Sequence, residues 1–127
     1  MSEPLKVLHV DDDDDIREIA KMALEAIGGF TVHQCSSGAQ ALKDVVDFGP
    51  DVFLLDVMMP EMSGEQLFEK LRAIPELANV PAIFMTARVQ QNEIDGFIDL
   101  GAIAVIQKPF DPMTLSEEVQ AALISAG

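Results

Sequence analysis

The stretch LHVDDDDDIREI places Asp11 and Asp12, the first two of five consecutive aspartates, directly behind an apolar run. Three further polar side chains stand the same way: Asp56 closes VFLLD, Thr86 follows AIFM, and Lys108 follows AVIQ. Carboxylates crowded together raise one another's energy unless something neutralises them. A hard divalent cation does so well, and magnesium accepts a few oxygen ligands while keeping several waters. Such an ion also binds phosphoryl oxygens. A lysine pairs with one anionic oxygen, and a threonine hydroxyl donates to another. An aspartate at a strand tip offers a carboxylate oxygen as nucleophile toward phosphorus. Asp11, Asp12 and Asp56 with Mg2+, beside Thr86 and Lys108, make a set suited to phosphorylating Asp56.

These residues lie far apart in the chain, so they act together only if the fold gathers the ends of apolar segments. Strand-like and helix-like segments alternate throughout. Strands are expected at 5–10, 31–35, 52–56, 81–85 and 104–106. The first helix is expected at 16–27, with Ile16, Ile19, Ala20, Ala23, Leu24 and Ile27 at a 3.6-residue period, ending at Gly28-Gly29. The second is expected at 37–48, capped by Ser36 or Ser37 and burying Ala41, Leu42, Val45 and Val46. A third follows at 65–74, and a fourth runs through Ile94, Phe97 and Ile98 to near Gly101. Asp111 and Pro112 start the last helix, which buries Leu115, Val119 and Leu123.

Strands that are almost wholly apolar belong in a sheet covered on both faces. Strand-helix alternation implies parallel pairing. The expectation is one α/β domain over 1–127, a doubly wound (βα)5 fold with five parallel strands. Parallel strands put their carboxyl ends on one edge, and ligands bind there, where strand order reverses. The second strand ends in Cys35-Ser36, away from that site.

The chain carries 22 acids against 8 bases, a net charge of -14, which repels nucleic acid and anionic membranes. With no Trp or Tyr it lacks the best platforms for stacking a base or a flavin. No apolar run reaches the roughly 18 residues a membrane span needs. MSEPLKV does not read as a secretion signal, and Cys35 is the only cysteine, so a cytoplasmic location is expected. Asp13, Asp14 and Asp15 suit a helix start, one as cap and two at the positive helix end. The spacing leaves open whether the ion-binding pair is Asp11–Asp12 or Asp12–Asp13. His9 and His33 read as a strand and a surface histidine, at no recognised metal-ligand spacing, and Cys35 as a small buried thiol. The phenylalanines read as core, and Met58 and Met59 as a loop rim.

Four motifs, VDDD from Val10, LLDVMMPEMSG from Leu54, MTA from Met85 and KPF from Lys108, resemble those of receiver domains of two-component response regulators. The likeness covers essentially the full length, and it implies the α/β flavodoxin-like fold with strand order 2-1-3-4-5. It implies that Asp56 is the phosphoacceptor and that Asp12 ligates Mg2+ directly, with Asp11 acting through water. It further implies that the Met58 carbonyl completes the protein ligands and that Lys108, joined to Pro109 by a commonly cis bond, contacts the phosphoryl group. Thr86 is implied to move toward that group once it arrives. The implied donor is a phosphohistidine on a sensor histidine kinase or a phosphotransfer protein.

Val105 departs from the family, which usually carries Tyr or Phe three residues before the lysine, so a different output surface is expected. Met58 and Arg88 are long side chains flanking the path of the hydrolytic water, and slow self-dephosphorylation is expected. Two other readings compete. One is an Mg2+-dependent phosphohydrolase with an aspartyl-phosphate intermediate, which needs an acid that Val57 and Met58 do not supply. The other is a receiver-like module that is never phosphorylated. An FMN carrier of the same fold is disfavoured, because the aspartates would repel the FMN phosphate.

Overall fold

A computed structural model describes residues 4–126. Five parallel strands form one sheet in the order β2-β1-β3-β4-β5: β1 is Lys6–Val10, β2 Thr31–Cys35, β3 Val52–Asp56, β4 Ala82–Thr86 and β5 Ala104–Gln107. The helices are α1 Asp14–Met22, α2 Gly38–Phe48, α3 Gly64–Arg72, α4 Gln91–Leu100 and α5 Leu115–Ala126. The expected fold class and strand order are both present.

Alternate side chains of a strand point to opposite faces, and the apolar strands feed two cores accordingly. Leu8, Val10, Phe53, Leu55 and Phe84 pack with Ala41 and Val45 of α2, Leu67, Phe68 and Leu71 of α3, and Phe97 of α4. Val7, Val52, Leu54, Ile83, Met85 and Ile106 pack with Ala20 of α1, Leu24, and Leu115 and Val119 of α5. All five residues of β3 and of β4 are buried. Full burial of one such aliphatic or aromatic side chain stabilises by about 1.5–3 kcal/mol, so these two strands anchor the sheet and hold its central edge rigid.

The first helix differs from the sequence reading. α1 gives way to a π-helical turn, Ala23–Ile27, in which the Gly28 N–H donates to the Ala23 carbonyl at 3.3 Å. The extra residue in that turn rotates Ile27 off the buried face, leaving it 47% exposed, and Ile19 at the stripe's edge is 40% exposed. Val46 and Ile98 also face outward. Ser37, not Ser36, caps α2 by accepting from the Gln40 N–H. The third helix ends at Arg72, and Pro75–Leu77 forms a separate 3-10 turn.

His9 is the strand histidine expected, but fully buried. Its Nδ1 accepts from the Gln34 side-chain amide at 3.0 Å, and that amide also donates to the Arg17 carbonyl. Nε2 therefore carries the proton and has no partner among the described residues. Burial, then the positive Lys108 and Arg17, push His9 down to about 3 from 6.5. A depressed histidine pKa means that the unfolded chain binds the proton first, so this contribution to stability is lost as pH falls below about 6.5. Relative to His9→Leu, the parent protein is expected to lose about 2 kcal/mol between pH 7 and pH 5, at about 1.4 kcal/mol per pH unit. Urea denaturation at the two pH values checks this, and parallel losses in both proteins would refute it.

Candidate functional site

The carboxyl ends of β1, β3, β4 and β5 meet as expected. Asp11 leaves β1 fully buried, and its backbone is pinned on both sides. Its N–H donates to the Cys35 carbonyl at 3.1 Å, and its carbonyl accepts from the Arg17 guanidinium at 2.7 Å. Asp12 is exposed at the rim. Asp56 ends β3 buried, and Thr86 ends β4 buried. Carboxylate oxygens of Asp11, Asp12 and Asp56 lie within 4.8 Å of one another.

The aspartate run divides at Asp13. That side chain is the cap of α1, accepting from the N–H groups of Asp15 and Ile16 at 2.9 and 3.1 Å, while Asp14 and Asp15 occupy the first turn. Its carboxylate satisfies helix donors that would otherwise lack partners. This selects Asp11–Asp12, rather than Asp12–Asp13, as the pair beside Asp56.

Lys108 reaches across from the end of β5. Its ammonium donates to Asp11 Oδ2 and to Asp56 Oδ1, each at 3.1 Å. The double pairing was not read from sequence, which linked Lys108 only to an anionic oxygen. The Lys108–Pro109 bond is cis. The Lys108 N–H donates to the Thr86 carbonyl at 2.9 Å, so the two residues are tied by backbone as well as by position. The Thr86 hydroxyl oxygen accepts from the Arg88 N–H at 3.0 Å, which leaves its hydrogen to donate. A hollow of about 430 Å³ is lined by Asp12, Asp13, Asp56, Met58, Thr86, Ala87 and Lys108.

The electrostatics are unbalanced. Burial first, then the negative Asp11, push Asp56 up from 3.8 to about 6, against the stabilising hydrogen bond and charge of Lys108. The same carboxylates raise Lys108 above its usual value despite its partial burial, so it stays an ammonium. One cation serving three acids leaves net negative charge at the edge. That is the setting in which oxygen donors take a hard dication.

Two supports of the site were not anticipated. Arg17, one turn into α1, holds the Asp11 carbonyl while pairing with Asp14 on its own helix. Gly64 opens α3 directly over the end of β3, its N–H donating to the Val57 carbonyl at 3.0 Å. A β-carbon on Gly64 would stand 2.3 Å from the Asp56 carbonyl oxygen. Overpacking against rigid backbone costs about 1–3 kcal/mol. Gly64→Ala is expected to lower stability by that amount and to move the Asp56–Val57 amide resonances, as denaturation and amide spectra would show. Unchanged stability would mean that the loop yields freely.

Fold and site together define a receiver-type domain, and the model of the response regulator receiver domain matches residues 7–120. The chain belongs to that family, the receivers of response regulators in two-component systems. Response regulator Rre1 of Synechocystis sp. is 34% identical over 121 residues, covering 94% of this chain and 52% of the relative. The transcriptional regulatory protein SrrA of Staphylococcus aureus is 39% identical over 119 residues, 93% of this chain and 47% of the relative. The chain thus spans about half the length of these curated relatives. Among solved structures, the chemotaxis response regulator CheY4 of Vibrio cholerae superposes with a TM-score of 0.87 at 28% identity, covering 94% of this chain and 98% of that one. A response regulator from Desulfuromonas acetoxidans gives 0.85 at 27%, covering 97% and 99%. No helix among the described residues is long and apolar enough to cross a membrane.

Proposed function

We propose that Asp56 accepts a phosphoryl group from a phosphohistidine of a sensor histidine kinase or a phosphotransfer protein, in the cytoplasm, and that the new charge alters a partner-binding surface. One observation carries the reading: Lys108 lies 3.1 Å from both the Asp11 and the Asp56 carboxylates, with the Thr86 hydroxyl in the same hollow. In the transfer, an Asp56 carboxylate oxygen bonds to phosphorus and the phosphorus–nitrogen bond of the donor breaks. The electron pair returns to the donor imidazole, which takes up a proton. Lys108 leaves Asp56 to face the incoming anionic oxygens, keeping Asp11 as its second partner. Thr86 donates its free hydroxyl hydrogen to another of those oxygens.

The acids fit a magnesium ion, since their donors are all oxygens and carry more negative charge than Lys108 balances. Asp12, Asp56 and the Met58 carbonyl would hold it directly and Asp11 through water. Bound there, magnesium would neutralise phosphoryl oxygens. The phosphoryl charge of about -2 draws on Thr86, at the end of β4 and the start of the loop into α4. Val105 pairs in register with Phe84 and packs beside the Phe84–Phe97 core. It offers no ring to swing, so the response is carried by the Thr86 loop and α4 instead.

Intact mass after incubation with Mg2+ and acetyl phosphate tests the class. The expected result is a phosphoryl-sized increase, absent from Asp56→Asn and persisting for minutes, because the long Met58 side chain lines the hollow of Asp56 and Arg88 follows Thr86 by two residues. No mass increase, or the same increase in Asp56→Asn, refutes the assignment. Turnover of a phosphate ester by the parent protein would favour a phosphohydrolase.

A further inference from the structure

We propose that His33, Cys35 and Asp44 form a second metal site, for a zinc-class divalent cation, between β2 and α2. Residues two apart on a strand project to the same side. For β2 that side is covered by α2, because Cys35 packs with Ala41 and Val45. Asp44 lies on α2, and its Oδ2 stands 2.9 Å from His33 Nε2 and 3.9 Å from Cys35 Sγ. One donor atom from each of the three lies within 4.8 Å of the others.

The convergence is unusual in chemistry as well as in distance. A carboxylate only accepts, so the His33 Nε2 hydrogen and the Cys35 thiol hydrogen both point at one Asp44 oxygen. A dication is what replaces them. The thiol proton leaves to solvent and the imidazole proton moves to Nδ1. The sulfur and Nε2 lone pairs then form bonds to the metal beside the carboxylate. Tetrahedral zinc ligands stand about 3.3–3.8 Å apart, close to the spacing already present. The ring of Phe48 lies against that of His33, centroids 5.3 Å apart, and holds the imidazole in place.

A sulfur, a nitrogen and an oxygen donor select zinc, cobalt or a similar ion over magnesium, which prefers oxygen alone. This site and the all-oxygen one at Asp11, Asp12 and Asp56 therefore take different metals. An open hollow of about 360 Å³, lined by His33, Asp44, Asp47 and Phe48, gives room for a fourth ligand. That ligand is a water, or Asp47, which follows Asp44 by one helical turn. Without metal, burial and the neighbouring Asp44 push the Cys35 thiol up to about 12, so it keeps its proton. A bound metal deprotonates a coordinating thiol outright.

Anaerobic titration of the reduced chain with Co2+, in excess Mg2+ to fill the acidic site, tests the proposal. The expected result is a one-to-one complex with a thiolate-to-cobalt charge-transfer band and the visible bands of a tetrahedral ion, bleached by one equivalent of Zn2+. Cys35→Ala should lose the charge-transfer band. His33→Ala and Asp44→Asn, both at half-exposed positions and so expected to fold, should weaken Co2+ binding more than about tenfold. No charge-transfer band at excess Co2+, or a band whose affinity is unchanged in both His33→Ala and Asp44→Asn, overturns it.

Discussion

Lys108→Ala is expected to lose about 2–4 kcal/mol of stability in the absence of divalent cation, and yet to bind Mg2+ more tightly than the parent protein. The Asp11 side chain is 0% exposed and that of Asp56 4%, and Lys108 is the ammonium that both reach. Removing one partner of a buried ion pair costs roughly 3–5 kcal/mol, because a buried charge is left uncompensated. The expected figure is lower here because Asp56, already pushed up to about 6, relieves part of the strain by taking a proton. A dication then enters a site with no competing ammonium, so its attraction to the acids rises. Urea denaturation with chelator and with Mg2+ separates the two effects. Adding Asp56→Asn to Lys108→Ala should recover most of the loss, since residues sharing one network couple strongly. Equal stability of Lys108→Ala and the parent in chelator would contradict the electrostatic reading of the site.

Asp56→Asn alone is expected to stabilise the metal-free protein by about 1–3 kcal/mol at pH 7.5. The folded-state pKa of Asp56 is raised from 3.8 to about 6 by burial and then by Asp11, so the folded protein binds this proton more tightly than the unfolded chain. The stability linked to that proton is fully present below pH 3.8 and is lost as pH rises through 6. The shift corresponds to roughly 3 kcal/mol at most, by 1.36 kcal/mol per pKa unit. An amide keeps the shape and one acceptor while removing the charge. The advantage of Asp56→Asn should therefore shrink on acidification and vanish near pH 4. His9 is common to both proteins, so its opposite pH dependence cancels in the difference. Thermal denaturation of both proteins from pH 4 to pH 7.5 gives the result. A gap that stays constant with pH would show that the carboxylate charge is not its source. The residue assigned to accept the phosphoryl group is thus also one whose charge works against the metal-free fold.

Much of this was open to reading from the chain alone. Apolar segments closing in Asp56, Thr86 and Lys108 announce a buried parallel sheet, and parallel strands must deliver those residues to one edge. The candidate site residues follow from that logic, and the strand order from the family resemblance carried by the motifs around Asp56 and Lys108. Helix faces were less legible. Ile27 fits the period of a buried stripe yet lies exposed, since a π-helical turn adds a residue that no periodicity count contains, and Ile19 lies exposed at the stripe's edge. The division of the aspartate run was open as well, because Asp12 and Asp13 are the same residue type. Only the capping bonds of α1 separate them.

Local sequence determined which segments are strands, which polar residues end them, and hence that acids, a hydroxyl and an ammonium share one edge. Those properties depend on neighbours in the chain and on the two-residue and 3.6-residue repeats. Contacts between distant segments were decided by tertiary structure alone: the double pairing of Lys108, the Gly64 backbone pressed on Asp56, and the meeting of His33 and Cys35 with Asp44. Each depends on how closely two packed elements approach, a distance set by every side chain between them rather than by any spacing along the chain.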